Sequence, residues 1–133
     1  MSLDTQKAVI AVITALKADV TLNALVAGRV YTNVVQNASF PYIAIRTFSI
    51  PYDTKDTDGT EVTLRVQAFS EYKGSKEIAE IMSATYNALH KQSITVTGAN
   101  LVNLRYDGGG DANPEPDGKR WQGFIDFRVI LTN

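Results

Sequence analysis

The sequence has no cysteine, which excludes disulfides, thiolate metal sites and a cysteine nucleophile and suits folding in a reducing compartment. It has no surplus of either charge: thirteen basic against fourteen acidic residues leave a formal net charge of -1. Gripping nucleic acid by counterion release needs a concentrated basic surface, so specific or nonspecific nucleic-acid binding is not expected. No stretch approaches the roughly 20 apolar residues of a membrane span. The apolar run from Ala8 to Ala15 is broken by Thr14 and flanked by Lys7 and Lys17 at helical spacing, which predicts a protein without membrane contact. Met1-Ser2-Leu3 lacks the basic start of a signal peptide. There is also no internal repeat and no linker, so the 133 residues are expected to form one domain, residues 1–133, with its own core.

What is present is periodic. Val9, Val12, Ile13 and Leu16 recur at three and four residues and predict a helix from Asp4 to Ala18, capped by Asp4. Asp19 through Val26 predicts a second short helix closed by Gly28. Extended segments follow at Arg29–Tyr31 and Tyr42–Ile50, with Phe40-Pro41 as the entry to the second. Pro51–Gly59, with its proline, glycine and aspartates, predicts a loop. Thr60–Ser70 alternates, with Val62, Leu64, Val66 and Ala68 on one side and Glu61, Thr63, Arg65 and Gln67 on the other. Ile78, Ile81, Met82, Thr85 and Leu89 predict a helix from about Ser75 to His90. Leu101–Tyr106 and Trp121–Leu131 read as strands, and Asp107–Gly118, rich in glycine and proline, reads as a long irregular hairpin loop.

Together these elements predict an α+β fold, an antiparallel sheet of four or five strands with two or three helices packed on one face. The uncovered face would display Arg46, Arg65, Arg105 and Arg128 with Gln67, Asn103, Gln122, Glu61 and Asp126. That surface is either a solvated sheet face or a contact surface where arginine forks meet carboxylates of a neighbouring subunit.

Catalytic patterns fail on inspection. His90 falls at a helix end, where an imidazole suits the unpaired carbonyls; Ser93 follows, but no carboxylate lies close in sequence to orient the ring. Gly118-Lys119 resembles the end of a phosphate loop, yet Asn113 stands where glycine is needed and Arg120 where Ser or Thr is needed. Gly108-Gly109-Gly110 leads to prolines rather than a helix, so no helix dipole awaits a phosphate. Asp53, Asp56, Asp58 and Glu61 offer oxygen ligands without EF-hand spacing, so the reading is a solvated acidic turn and no metal site is assigned. The aromatics Tyr31, Tyr42, Phe48, Phe69 and Tyr72 lack the basic interleaving of an RNA-binding sheet.

Several segments, in order, resemble the bacteriophage and prophage tail completion (head-tail joining, tail terminator-like) family. They are Gly28-Arg29-Val30-Tyr31, Phe40-Pro41-Tyr42-Ile43, Leu64-Arg65-Val66-Gln67-Ala68-Phe69-Ser70, Gly74 before the helix ending Asn87-Ala88-Leu89-His90, Leu101-Val102, and Pro116-Asp117-Gly118-Lys119-Arg120-Trp121-Gln122-Gly123. The likeness runs from about Asp4 to Leu131. It implies a structural virion protein without catalytic residues or cofactors, a ring subunit, six copies to the ring, placed where the tail tube meets the head connector. Its partners would be further copies of itself, the tube protein and the connector protein, with DNA passing through the ring. Assembly would take place in the bacterial host cytoplasm.

A ring needs two complementary patches per subunit. Arg46, Arg65 and Arg128 are the subunit-contact candidates. Asp53, Asp56, Asp58, Asp111, Glu115 and Asp117 are the candidates for a lumen that does not grip phosphate, or for docking a partner. The glycine- and proline-rich segment would be a plain hairpin loop or one that orders on docking. The competing reading is a small cytosolic α+β enzyme or ligand-binding domain in which Arg65, Arg105 and Arg128 hold an anion.

Overall fold

The computed structural model describes residues 5–32, 38–53 and 58–132, with the backbone alone for residues 50–53 and 58. Helix α1 (Thr5–Ala18) buries Ala8, Val9, Ala11, Val12 and Leu16, the face its spacing predicts. Its expected cap, Asp4, lies outside the described residues. Asp19 breaks the helix and starts α2 (Val20–Val26), its carboxylate accepting from the amides of Thr21 and Leu22 at 3.1 and 3.2 Å. That cap satisfies two of the donors a helix start leaves unpaired. The helix ends with Ala27 at φ 52° and Gly28 at φ 74°, two successive left-handed residues that turn the chain into the sheet. Helix α3 (Lys76–Leu89) buries Ile78, Ile81, Met82, Thr85 and Leu89. Among the described residues no single helix is long and apolar enough to cross a membrane.

The strands are β1 (Val30–Tyr31), β2 (Tyr42–Asp53), β3 (Asp58–Ser70), β4 (Asn100–Pro114) and β5 (Trp121–Thr132), in the order β1-β2-β3-β5-β4. The sheet is antiparallel except that β1 runs parallel to β2. The Arg29 guanidinium ties the two together, donating to the carbonyls of Pro41 and Phe40 at 2.9 and 3.3 Å.

Two expected loops are largely strand. The Pro51–Gly59 segment continues the β2–β3 ladder down to the pair Asp53 and Asp58. Ile43 turns its N–H toward β1, bonding the Arg29 carbonyl at 2.9 Å, and every second residue of β2 faces that same way. Pro51 is one of them, so its missing N–H falls on the open edge and leaves the ladder to β3 intact. The glycine run is likewise not an irregular loop: β4 continues through it to Pro114, with register shifts at 101/103, 106/108 and 109/112. Bulges absorb the residues that cannot keep register. The remaining turn is tight, with the Glu115 amide donating to the Arg120 carbonyl at 2.8 Å and the Gly118 amide to the Glu115 carbonyl at 2.9 Å.

The core lies between the helices and one sheet face. Val62, Leu64, Val66 and Ala68 of β3 and Phe127, Val129 and Leu131 of β5 have no accessible surface. Gly123 lets α3 approach closely, since a Cβ there would stand 2.7 Å from Ile78 Cγ2 and 2.7 Å from the Asp111 carbonyl oxygen.

Candidate functional site: the uncovered sheet face and its edges

Alternation along β3 and β5 sends Glu61, Thr63, Arg65 and Gln67, and Gln122, Phe124, Asp126 and Arg128, to the face away from the helices. Register makes Arg46 the cross-strand neighbour of Arg65, and Arg105 that of Arg128. The four arginines expected on this face are therefore brought together on it.

They differ in how they are held. Arg65 grips Asp126 with both prongs, Nε to Oδ1 at 3.0 Å and Nη2 to Oδ2 at 3.2 Å. Its guanidinium also lies 4.0 Å from the centre of the Phe124 ring. The hydrogen bond to Asp126 holds the Arg65 pKa above its ordinary value; burial opposes this and the attraction of the carboxylate adds to it. Arg128 bridges Glu61 at 3.2 Å and Asp107 at 3.4 Å. Two adjacent like charges across strands are unfavourable, and these carboxylates neutralise one member of each arginine pair. Arg46 and Arg105 are exposed and make no ion pair among the described residues. An anion site built from Arg65, Arg105 and Arg128 would compete with Asp126, Glu61 and Asp107, which already occupy two of the three forks.

The acidic candidates do not form one patch. Asp53 and Asp58 pair at the β2–β3 end of the sheet, with Asp56 outside the described residues. Asp111, Glu115 and Asp117 lie toward the β4–β5 turn, where Pro114 pairs with Trp121 and Trp121 with Ser70. A 12-residue β2 separates the two ends by about 40 Å at strand rise. Asp117 is also used locally, accepting from the Lys119 amide at 2.9 Å.

His90 serves the sheet edge. Its Nδ1 accepts from the Tyr106 amide at 3.0 Å and the next residue, Lys91, donates its amide to the Leu104 carbonyl at 3.0 Å. The pair plugs two backbone groups of β4 that no strand covers, and the ring stacks on Tyr86 at 4.7 Å. A helix-end role alone misses this, because the need arises from β4, sixteen residues away.

At the β1 end, Tyr42 packs against Tyr31, Phe40 and Phe69, with centroids 6.0, 5.2 and 5.0 Å away, and Arg120 lies 5.0 Å from the Phe40 ring. The segments Gly28–Tyr31, Phe40–Ile43 and Phe69 thus converge on one aromatic cluster.

Among known families, the chain matches the one described as Tail completion protein gp17 over residues 10–132. Its fold is similar to that of a chain in a solved structure described as "Virion of native gene transfer agent (GTA) particle", with a TM-score of 0.82, 20% identity and 93% of each chain covered. No curated protein matches the chain.

Proposed function

The chain belongs to the tail completion protein family, a structural protein of the phage-type virion tail, and on that premise we propose that it completes the tail as a ring of copies, six to the ring, without catalysis. The ring joins the tail tube to the head connector and leaves a path for DNA. The observation that carries this reading is the family match across nearly the whole fold, from within α1 to the end of β5.

The geometry is compatible with distinct roles for the parts of such a ring. Arg46, Arg65 and Arg128 stand on the uncovered sheet face and serve the contact between copies, with Arg65 and Arg128 stiffened by their own carboxylates. The acidic tips at opposite ends of the sheet suit two partners better than one continuous lumen band. If the strands run along the ring axis, the end that carries Asp53 and Asp58 faces one partner, and the end that carries Asp111, Glu115 and Asp117 faces the other.

The test is solution mass by light scattering across a wide concentration range, alone and with isolated tail tubes. The expected result is a species near six times the 14.5 kDa chain, either free or formed on tube ends. A monomer or dimer that ignores tubes would overturn the ring.

A further inference from the structure

At Leu104–Tyr106 the outer edge of β4 is closed by the chain itself, through two bonds of unlike chemistry. His90 Nδ1 accepts from the Tyr106 amide at 3.0 Å, and the Lys91 amide donates to the Leu104 carbonyl at 3.0 Å. The Lys91 bond joins two backbone groups and has no proton to gain or lose near neutral pH. The His90 bond lasts only while the ring nitrogen is unprotonated. Imidazole is the side chain that ordinarily changes charge between pH 5 and 8, and once charged it donates from both nitrogens. The Tyr106 amide then faces another N–H and has no acceptor, while the bond from Lys91 is untouched.

The surroundings of the ring support both of its states. His90 is the C-cap of α3, its own amide bonded to the Tyr86 carbonyl, and a helix end favours a cation. The ring also stacks on Tyr86, with centroids 4.7 Å apart and planes 21° from parallel, and an aromatic face accepts a cation. The Tyr106 amide favours the neutral ring. The titratable groups against the imidazole are the phenols of Tyr86 on α3 and of Tyr106 on β4, the latter edge-on at 6.4 Å. Lys91 follows with an exposed side chain. Of the charged residues that flank Tyr106, Arg105 lies on the face of Arg128, its cross-strand neighbour, and Asp107 is engaged by Arg128 at 3.4 Å. Among the described residues no carboxylate forms an ion pair with His90.

We propose that His90 is a proton-operated latch on the edge of β4: neutral, it closes the strand at Tyr106, and protonated, it releases that amide while the Lys91 bond stays made. The latch is independent of whether copies form a ring. It decides whether β4 offers a free donor at this height, and an uncovered donor on a sheet edge is a place where another strand can pair. Tyr106 carries the release into its surroundings. Its ring meets Tyr86 edge-on at 5.4 Å and the core ring of Phe127 at 6.4 Å, and its hydroxyl donates to the Gly109 carbonyl at 2.6 Å across the register shift. Lys91 is the fixed half: its left-handed φ of 59° turns the chain so that its amide meets Leu104.

Amide hydrogen exchange of the full chain tests the latch, read as protection relative to an unstructured peptide so that the pH dependence of exchange itself cancels. Between about pH 7.5 and about pH 5, the range in which imidazole changes charge, protection at Tyr106 is expected to fall about fivefold, the amount one hydrogen bond of ordinary strength supplies. Protection at Lys91 should not change. His90→Asn separates the proton from the shape, because its Oδ1 replaces Nδ1 as acceptor and does not titrate; Tyr106 should then stay protected at both pH values. The amides of Leu64 and Val129, in the core strands, report that each sample is folded. Constant protection at Tyr106 in the natural chain overturns the latch. A parallel fall at Tyr106 and Lys91 also overturns it, since the whole end of α3 would be fraying, and an equal fall at Tyr106 in H90N would place the proton elsewhere. The first two outcomes need only the natural chain, so they decide the matter even if the variant does not fold.

Discussion

The two faces of the sheet obey different rules although the same strands build both. On the helix side, Leu64, Phe127 and Val129 are fully buried and held by nondirectional packing. On the other side, stability is spread over arginine forks, carboxylates and half-exposed rings, and the amide oxygens of Gln67 and Asn103 are shut from solvent without a partner among the described residues. The contrast teaches that the two faces should contribute unequally to the fold: nondirectional burial on the first is expected to carry most of the stability, and half-exposed ion pairs on the second much less.

The largest expected effect breaks the first face. Phe127→Ala removes a fully buried ring from the centre of the core and should cost about 3–5 kcal/mol, as large-to-small core substitutions of this kind do. The urea unfolding midpoint reports it, and a loss under about 1 kcal/mol would mean that this core is not the chain's main source of stability. Asp126→Ala makes the corresponding cut on the second face. Although its fork to Arg65 is well formed, the side chains of Arg65 and Asp126 are 37% and 16% exposed, so solvent screening limits the expected loss to about 1 kcal/mol. The loss should shrink further in high salt. An unfolding midpoint that falls as far as that of Phe127→Ala would erase the distinction between the faces.

How much of the fold is legible in the amino-acid sequence depends on where the cause of each feature lies. The three helices and the cores of β3 and β5 are readable because periodicity is local: Val62, Leu64, Val66 and Ala68 announce their face by alternation alone. The length of β4 is not. Its Gly108–Pro114 half carries every mark of a loop, and it is strand because β5, already fixed between β3 and the helices, offers it a ladder that tolerates bulges. Pro51 misleads in the same way, since only the side toward which Ile43 points its N–H shows that a proline there does no harm. The parallel β1 is two residues long and leaves no pattern to detect. The arginine face is legible as a group of residues, but its pairing is not: that Asp126 belongs to Arg65 and not to Arg46 follows from register across three strands. The acidic candidates look like one set because a sequence does not reveal that the Asp53–Asp58 pair and the β4–β5 turn lie at opposite ends of a sheet.

Tyr42 gives the smallest effect and the sharpest comparison, because it belongs to the polar face by register yet is only 4% exposed. Burial raises its phenol pKa above the usual 10.0, the Arg120 cation partly offsets this, and Glu115 adds to it. The folded chain therefore keeps the phenolic proton at pH values where the unfolded chain has released it. By linkage, the stability tied to the neutral phenol is complete below the unfolded value near 10 and is lost as pH rises through the higher folded value. Tyr42→Phe removes this ionisation, so its stability should change little at pH 7 and fall less steeply than that of the natural chain above pH 10. The other five tyrosines titrate in both proteins and cancel in the difference. Urea midpoints measured from pH 7 to 11 decide the matter: curves that separate above pH 10 place an apolar island inside the polar face, and parallel curves would mean that the Tyr42 hydroxyl reaches water.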